Sequence, residues 1–180
     1  MGHCGTITIK EEVAVKKYIC IGVFIMSSMS HALQLTSPAF GNNDSIPAKY
    51  TCDGENISPE LNWSGAPENT KSFALIVDDP DAPAKVWVHW IVCNIPSDIM
   101  QLKENVPTSA FIAGSTDFHN TQYGGPCPPS GSHRYQFTLY ALDSMLQVEQ
   151  GVNKEALLAA MQGHILAQAV LLGRYQRTKK

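Results

Sequence analysis

The chain has 180 residues, of which 44% are hydrophobic and 16% charged, with 13 Lys+Arg against 16 Asp+Glu for a net charge of −3. That balance fits one packed domain and excludes a disordered chain. No basic stripe appears along the sequence, so no nucleic-acid partner is expected.

The N-terminal segment reads differently from the rest. Lys16 and Lys17 precede an apolar run over 18–26, and the small residues Ser30 and Ala32 follow. A positive stretch, a short apolar stretch and small residues at a cleavage position describe a signal peptide. The run is shorter than the roughly 20 apolar residues of a membrane span. Residues 1–32 are therefore expected to be a signal peptide, with an atypically long leader that carries Glu11 and Glu12. The expected location is periplasmic or secreted. The alternative is a cytoplasmic protein whose first strand is apolar. Residues 33–180 are expected to form a single domain.

The five cysteines bear on the compartment. Cleavage after Ala32 removes Cys4 and Cys20. Cys93 sits in the apolar run Trp90, Ile91, Val92, Cys93 and reads as a buried free thiol. Cys52 and Cys127 each lie in a glycine-containing loop, and an oxidising compartment can pair them. Two unpaired loop thiols are the other reading. The absence of a C-x-x-C pair removes the common zinc and thioredoxin readings.

In chain order, residues 33–40 alternate weakly and can open a strand. Leu61, Asn62 and Trp63 make a short strand ended by Ser64, Gly65, Ala66 and Pro67. Residues 72–77 are apolar and β-branched, which predicts a buried strand. Residues 87–95 form the longest strand candidate. Both of its parities are largely apolar, so both faces are expected to be covered. A further strand is predicted over 134–142. Asn153 can cap a helix over 154–161, which is rich in Ala, Leu and Glu. Gly163 interrupts it, and 167–175 stays open between a second helix and a final strand. Arg174, Arg177, Lys179 and Lys180 read as a solvated tail. Strands separated by Gly/Pro turns dominate, which predicts a mainly β sandwich or closed sheet.

Two polar constellations stand out. The first is Asp78, Asp79, Pro80, Asp81, Ala82 and Pro83, directly after a predicted strand. Carboxylates crowded there can bind metal, orient a histidine, or simply make a solvated turn. His89 follows in the middle of an apolar strand, where a satisfied core histidine is the plainer reading. The second is the run 123–135, Tyr-Gly-Gly-Pro-Cys-Pro-Pro-Ser-Gly-Ser-His-Arg-Tyr. Its glycines and prolines stiffen a loop that delivers His133 and Tyr135 onto an apolar strand. It is either a wall of a small binding site or a connection that turns the chain.

Together these blocks resemble the two signature regions of the phosphatidylethanolamine-binding protein family, in its bacterial and archaeal, Raf kinase inhibitor-like branch. The resemblance spans about residues 35–176 and rests on three separated blocks in the right order. It implies a large central antiparallel sheet packed with a smaller sheet, and a few peripheral helices, one near the C-terminus. It implies a pocket for a small phosphorylated or carboxylate ligand, and a possible homodimer. Carried over residue by residue, Asp79, Asp81, His89, His133 and Tyr135 are the expected polar ligand-binding groups. Gly125 and Cys127 are expected to offer backbone N–H donors, and Pro83, Trp87 and Pro129 to shape the rim. A cis peptide before Pro83 is a further family expectation. Relatives commonly carry glycine where this chain has Cys127. The 116–119 segment, Thr-Asp-Phe-His, replaces the more usual Asn-Asp-Phe-Gly and adds His119 near the mouth.

The resulting expectation is a non-catalytic small-anion binder with no cofactor and no metal. Histidine donors would make its anion affinity stronger below about pH 6.5. Two other readings stay open. One is a hydrolase using the Asp/His pocket, although no Gly-x-Ser-x-Gly or His-Glu-x-x-His motif is present. The other is an interaction module whose protein target is a kinase or protease.

Overall fold

The structure, a computed structural model, describes residues 32–177 together with Met1. Residues 2–31 of the expected signal peptide, with Cys4 and Cys20, and the tail residues Lys179 and Lys180 fall outside the described residues.

Two antiparallel sheets carry the fold. The smaller contains β1 (Gln34–Thr36), β2 (Leu61–Ser64) and β5 (Gln101–Leu102), in that order. The larger has five strands, β3 (Ser72–Asp79), β4 (Trp87–Pro96), β6 (Ile112–Ala113), β7 (Ser132–Leu142) and β8 (Ile165–Gln176), arranged β6-β4-β3-β7-β8. Every residue of β3 is buried, because it lies at the centre of the sheet with both faces covered.

One core lies between the sheets, where Leu35, Leu61 and Trp63 meet Phe73, Leu75, Val77, Trp90 and Phe137. The second lies on the opposite face, where Ala74, Ile76 and Ile91 pack under Leu157 and Met161 of α1 (Lys154–Met161). Asn153 caps α1 as predicted, its Oδ1 accepting from the Ala156 N–H. Lys154 then ties the helix to β3 by donating to Asp78.

The open end of the chain resolves as a strand. β8 pairs with β7 from Ser132↔Gln176 to Leu142↔Ile165, and that ladder settles what its Ala/Leu composition left ambiguous. Arg174 belongs to this strand, and Arg177 just beyond it bonds Asp53 at 3.1 Å, so neither is part of a free tail.

β4 departs from simple alternation twice. Val77 pairs with Trp90 and Asp78 with Val88, which makes His89 the extra residue of a β-bulge. A second bulge falls between Val92 and Ile95, where Asn94 has φ +55°. Val88 therefore packs in one core and Trp90 in the other despite their equal parity. Among the described residues no peptide bond is cis, so the bond before Pro83 is trans, contrary to expectation.

Candidate functional site

The bulge frees His89 from the β4 alternation. Its ring stands edge-on to Tyr135 and to Phe118, at centroid distances of 5.2 and 5.3 Å. His89 Nδ1 lies 2.6 Å from the Gly124 carbonyl oxygen, and the Gly124 N–H returns a bond to the His89 carbonyl. A carbonyl can only accept, so Nδ1 carries the proton and Nε2 keeps its lone pair in the neutral ring. Among the described residues no group bonds Nε2. Burial pushes the His89 pKa below the usual histidine range. The Gly124 carbonyl and the carboxylates of Asp79, Asp78 and Asp117 pull the other way and lose. The expected gain in anion affinity from this imidazolium therefore begins below pH 6.5, not at it.

Asp79 ends β3 on the face shared with Tyr135. Its Oδ1 accepts from the Asp81 N–H at 2.8 Å, and its Oδ2 accepts from His133 Nδ1 at 2.7 Å. Asp79 and His133 are 3% and 7% exposed, so this is an interior pair. His133 is paired behind Asp79 and does not itself line the cavity.

Asp81 has a different task from the one expected. Its carboxylate takes the Arg134 N–H and Nε at 2.9 Å each, and Arg134 Nη2 at 2.6 Å. Those bonds hold its pKa down to about 2 and clamp the Asp-rich turn to the start of β7.

The 123–131 loop is docked on the 48–56 segment. Tyr123 Oη donates to the Tyr50 carbonyl at 2.9 Å, and the Cys52 N–H donates to the Pro126 carbonyl at 3.1 Å. The sulfurs of Cys52 and Cys127 are bonded, with their Cα atoms 5.4 Å apart. The Gly125 N–H, expected to face a ligand, instead donates to Asn56 Oδ1 at 2.7 Å. A Cβ on Gly125 would come within 2.4 Å of the Tyr50 carbonyl oxygen, which is why glycine stands there.

These elements enclose a cavity of about 360 Å³ lined by Asp79, Pro83, Trp87, His89, Cys127, Pro129 and Tyr135, with Ala82 and Phe118. Of the ten expected residues, Asp81, Gly125 and His133 are absent from its walls. Phe118 was missed, although it belongs to the variant 116–119 segment. His119, which that segment singled out, is exposed, adopts φ +60° and does not line the cavity.

The Tyr135 hydroxyl is the site's distinguishing group. It is buried and makes no well-formed hydrogen bond, although the Asp79 carboxylate and the Cys127 N–H both stand close enough to act on it. Burial and Asp79 drive its pKa far upward, so it remains a proton donor. A cleft of about 400 Å³ beside Asn56, Asn105 and Tyr123 has no such group, since the Tyr123 hydroxyl is already bonded. Cys93, as expected, is a free buried thiol, with its pKa raised to about 11 by burial.

Comparison with known proteins places this geometry in context. Residues 36–176 match the family model described as phosphatidylethanolamine-binding protein. A UPF0098 protein of Methanothermobacter thermautotrophicus is 53% identical over 150 residues, covering 81% of this chain and 99% of its own. A UPF0098 protein of Chlamydia muridarum is 48% identical with the same coverage. Among solved structures, a putative phosphatidylethanolamine-binding protein homologue from Chlamydia trachomatis superposes with a TM-score of 0.79 at 45% identity, over 82% of this chain and 99% of its own. YbcL of E. coli, described as a member of the mammalian PEBP family, gives 0.76 at 32% identity, over 82% and 100%.

Proposed function

Since the chain belongs to the phosphatidylethanolamine-binding protein family, we propose that it is a non-catalytic receptor for a small oxyanion of the phosphate or phospholipid-headgroup kind. The observation that carries this reading is the Tyr135 hydroxyl, a buried donor with no well-formed hydrogen bond on the wall of a cavity, beside the Asp79 carboxylate and the Cys127 N–H. Buried polar groups are almost always satisfied, and a ligand oxygen is the partner such a wall awaits. Asp79 and His89 supply the other polar surface, and Pro83, Trp87, Phe118 and Pro129 supply a dry rim that strengthens each hydrogen bond.

Binding is favoured over hydrolysis by what the walls lack. The sulfur of Cys127 is held by Cys52, and no serine or threonine lines the cavity. The bonded cysteine pair also favours an oxidising compartment, in keeping with export.

Calorimetric titration with inorganic phosphate and phosphoethanolamine tests the reading. Saturable binding at one site, weakened about fivefold by Tyr135→Phe, is expected, since one hydrogen bond is worth about 1 kcal/mol. No saturable binding, or an affinity indifferent to Tyr135→Phe, would overturn it.

A further inference from the structure

We propose that the Cys52–Cys127 bond is a redox latch on the cavity: a dithiol reduces it, the rim segment 127–131 comes loose, and the affinity of the site falls. The inference rests on the receptor reading above for its ligand, while the latch itself stands on how the 123–131 loop is fastened.

The two halves of that loop are held differently. The first half is held by hydrogen bonds. Tyr123 Oη donates to the Tyr50 carbonyl, the Gly124 N–H to the His89 carbonyl, and the Gly125 N–H to Asn56 Oδ1. The Pro126 carbonyl accepts from the Cys52 N–H. Beyond Pro126 these ties stop. The one polar contact of 127–131 among the described residues is the Cys127 N–H beside the Tyr135 hydroxyl. Pro128 and Pro129 have no N–H to offer. Gly131 stands in open space at φ +68°. Pro128 is buried, and the other four residues of this half are exposed. The sulfur bridge is therefore what pins the second half to the 48–56 segment.

The second half is also the half that shapes the site. Cys127 and Pro129 line the cavity, and the Cys127 N–H acts on the Tyr135 hydroxyl. Cutting the bridge leaves the hydrogen bonds of 123–126 in place and removes the fastener of the rim.

Both bridged cysteines are exposed. Exposed disulfides are the labile ones, open to attack by a thiolate. One thiolate of the dithiol attacks a sulfur of the bridge, the S–S bond breaks and a mixed disulfide forms. The second thiol of the reductant then displaces the protein sulfur. Two electrons and two protons pass to the protein, Cys52 and Cys127 become thiols, and the reductant leaves as a disulfide. Cys93, the free thiol among the described residues, is buried and offers no competing partner.

The test uses the whole protein, oxidised and then reduced with dithiothreitol. Nitrogen relaxation follows the loop amides, calorimetry measures inorganic phosphate affinity, and circular dichroism monitors the fold. Reduction should lower the order parameters of the Ser130 and Gly131 amides below about 0.6, while those of Tyr123, Gly124 and Gly125 stay near about 0.85. Phosphate affinity should weaken about fivefold, the equivalent of one hydrogen bond, and reoxidation should restore both. A Cys52→Ser, Cys127→Ser double variant should behave as the reduced protein does and ignore dithiothreitol. Unchanged order parameters at Ser130 and Gly131, loosening without a change in phosphate affinity, or unfolding on reduction would each overturn the latch and leave the receptor reading standing. No phosphate binding by the oxidised protein would instead overturn the receptor reading, and with it the control of affinity.

Discussion

Asp79 and His133, 54 residues apart, meet in a buried hydrogen bond of 2.7 Å. It joins the end of β3 to the start of β7 and fixes the carboxylate that floors the cavity. His133→Ala would leave that carboxylate buried with one donor fewer. The expected cost is about 2–4 kcal/mol, read as a lower urea midpoint. A change below about 0.5 kcal/mol would mean that the pair does not hold the floor.

The Asp81–Arg134 pair is a surface clamp, and its contribution depends on pH. The folded pKa of Asp81 is about 2, below the unfolded value near 3.9. A depressed carboxylate contributes stability above its unfolded pKa, and loses it as pH falls towards the folded one. Asp81→Asn should therefore cost up to about 1 kcal/mol at neutral pH, and progressively less as pH falls from about 4 through the folded pKa. A cost independent of pH would assign the clamp to shape and not to charge.

The His89 ring should report its own environment. Nitrogen NMR at neutral pH is expected to show the proton on Nδ1, because the Gly124 carbonyl accepts it. Titration should show a pKa below about 6.5, since burial disfavours the imidazolium. Stability from the neutral ring is then present above that pH and is lost as pH falls through the folded value. A proton on Nε2 at pH 7 would contradict the bond from Nδ1 to the Gly124 carbonyl.

Gly125 and Gly131 separate two kinds of glycine. Alanine at Gly125 would push its Cβ to 2.4 Å from the Tyr50 carbonyl oxygen and 2.8 Å from Thr51 Cα, both backbone atoms. That overpacking should cost about 1–3 kcal/mol and shift the loop that lines the cavity. Gly131 has open space around it but φ +68°, so alanine there should cost only about 1–2 kcal/mol of backbone strain. Urea denaturation compares the two stabilities. Loss of ligand affinity with Gly125→Ala alone would distinguish their roles.

The Cys52–Cys127 bond closes a loop with a sequence separation of 75 residues. Replacing both cysteines by serine should lower stability by about 4 kcal/mol in the chain-entropy account. The hydrogen bonds from Cys52 to Pro126 and from Gly125 to Asn56 should keep the loop docked, so ligand affinity should fall less than stability does.

What the sequence made legible follows from local physics. Strands β3, β4 and β7 and helix α1 carry apolar patterns long enough to be read, and the Asn153 cap marks where the helix starts. The two-residue strands β5 and β6 have no period to detect. β8 was ambiguous because its Ala and Leu residues suit either state, and only its pairing with β7 decides. The bulge at His89 was invisible because alternation places Val88 and Trp90 on one face, and the register puts them on two. The Gly125 N–H was misassigned because its acceptor, Asn56, is 69 residues away. Asp81 and His133 were carried over as ligand-binding groups from the family resemblance, and their partners, Arg134 and Asp79, place them behind the cavity.

The most direct test of the receptor is a crystal structure of the protein grown with inorganic phosphate. The account predicts a phosphate in the cavity, with one oxygen about 2.7 Å from Tyr135 Oη and another at a similar distance from His89 Nε2. Phosphate bound only elsewhere, with the Tyr135 hydroxyl bonded to the protein or to water alone, would contradict it.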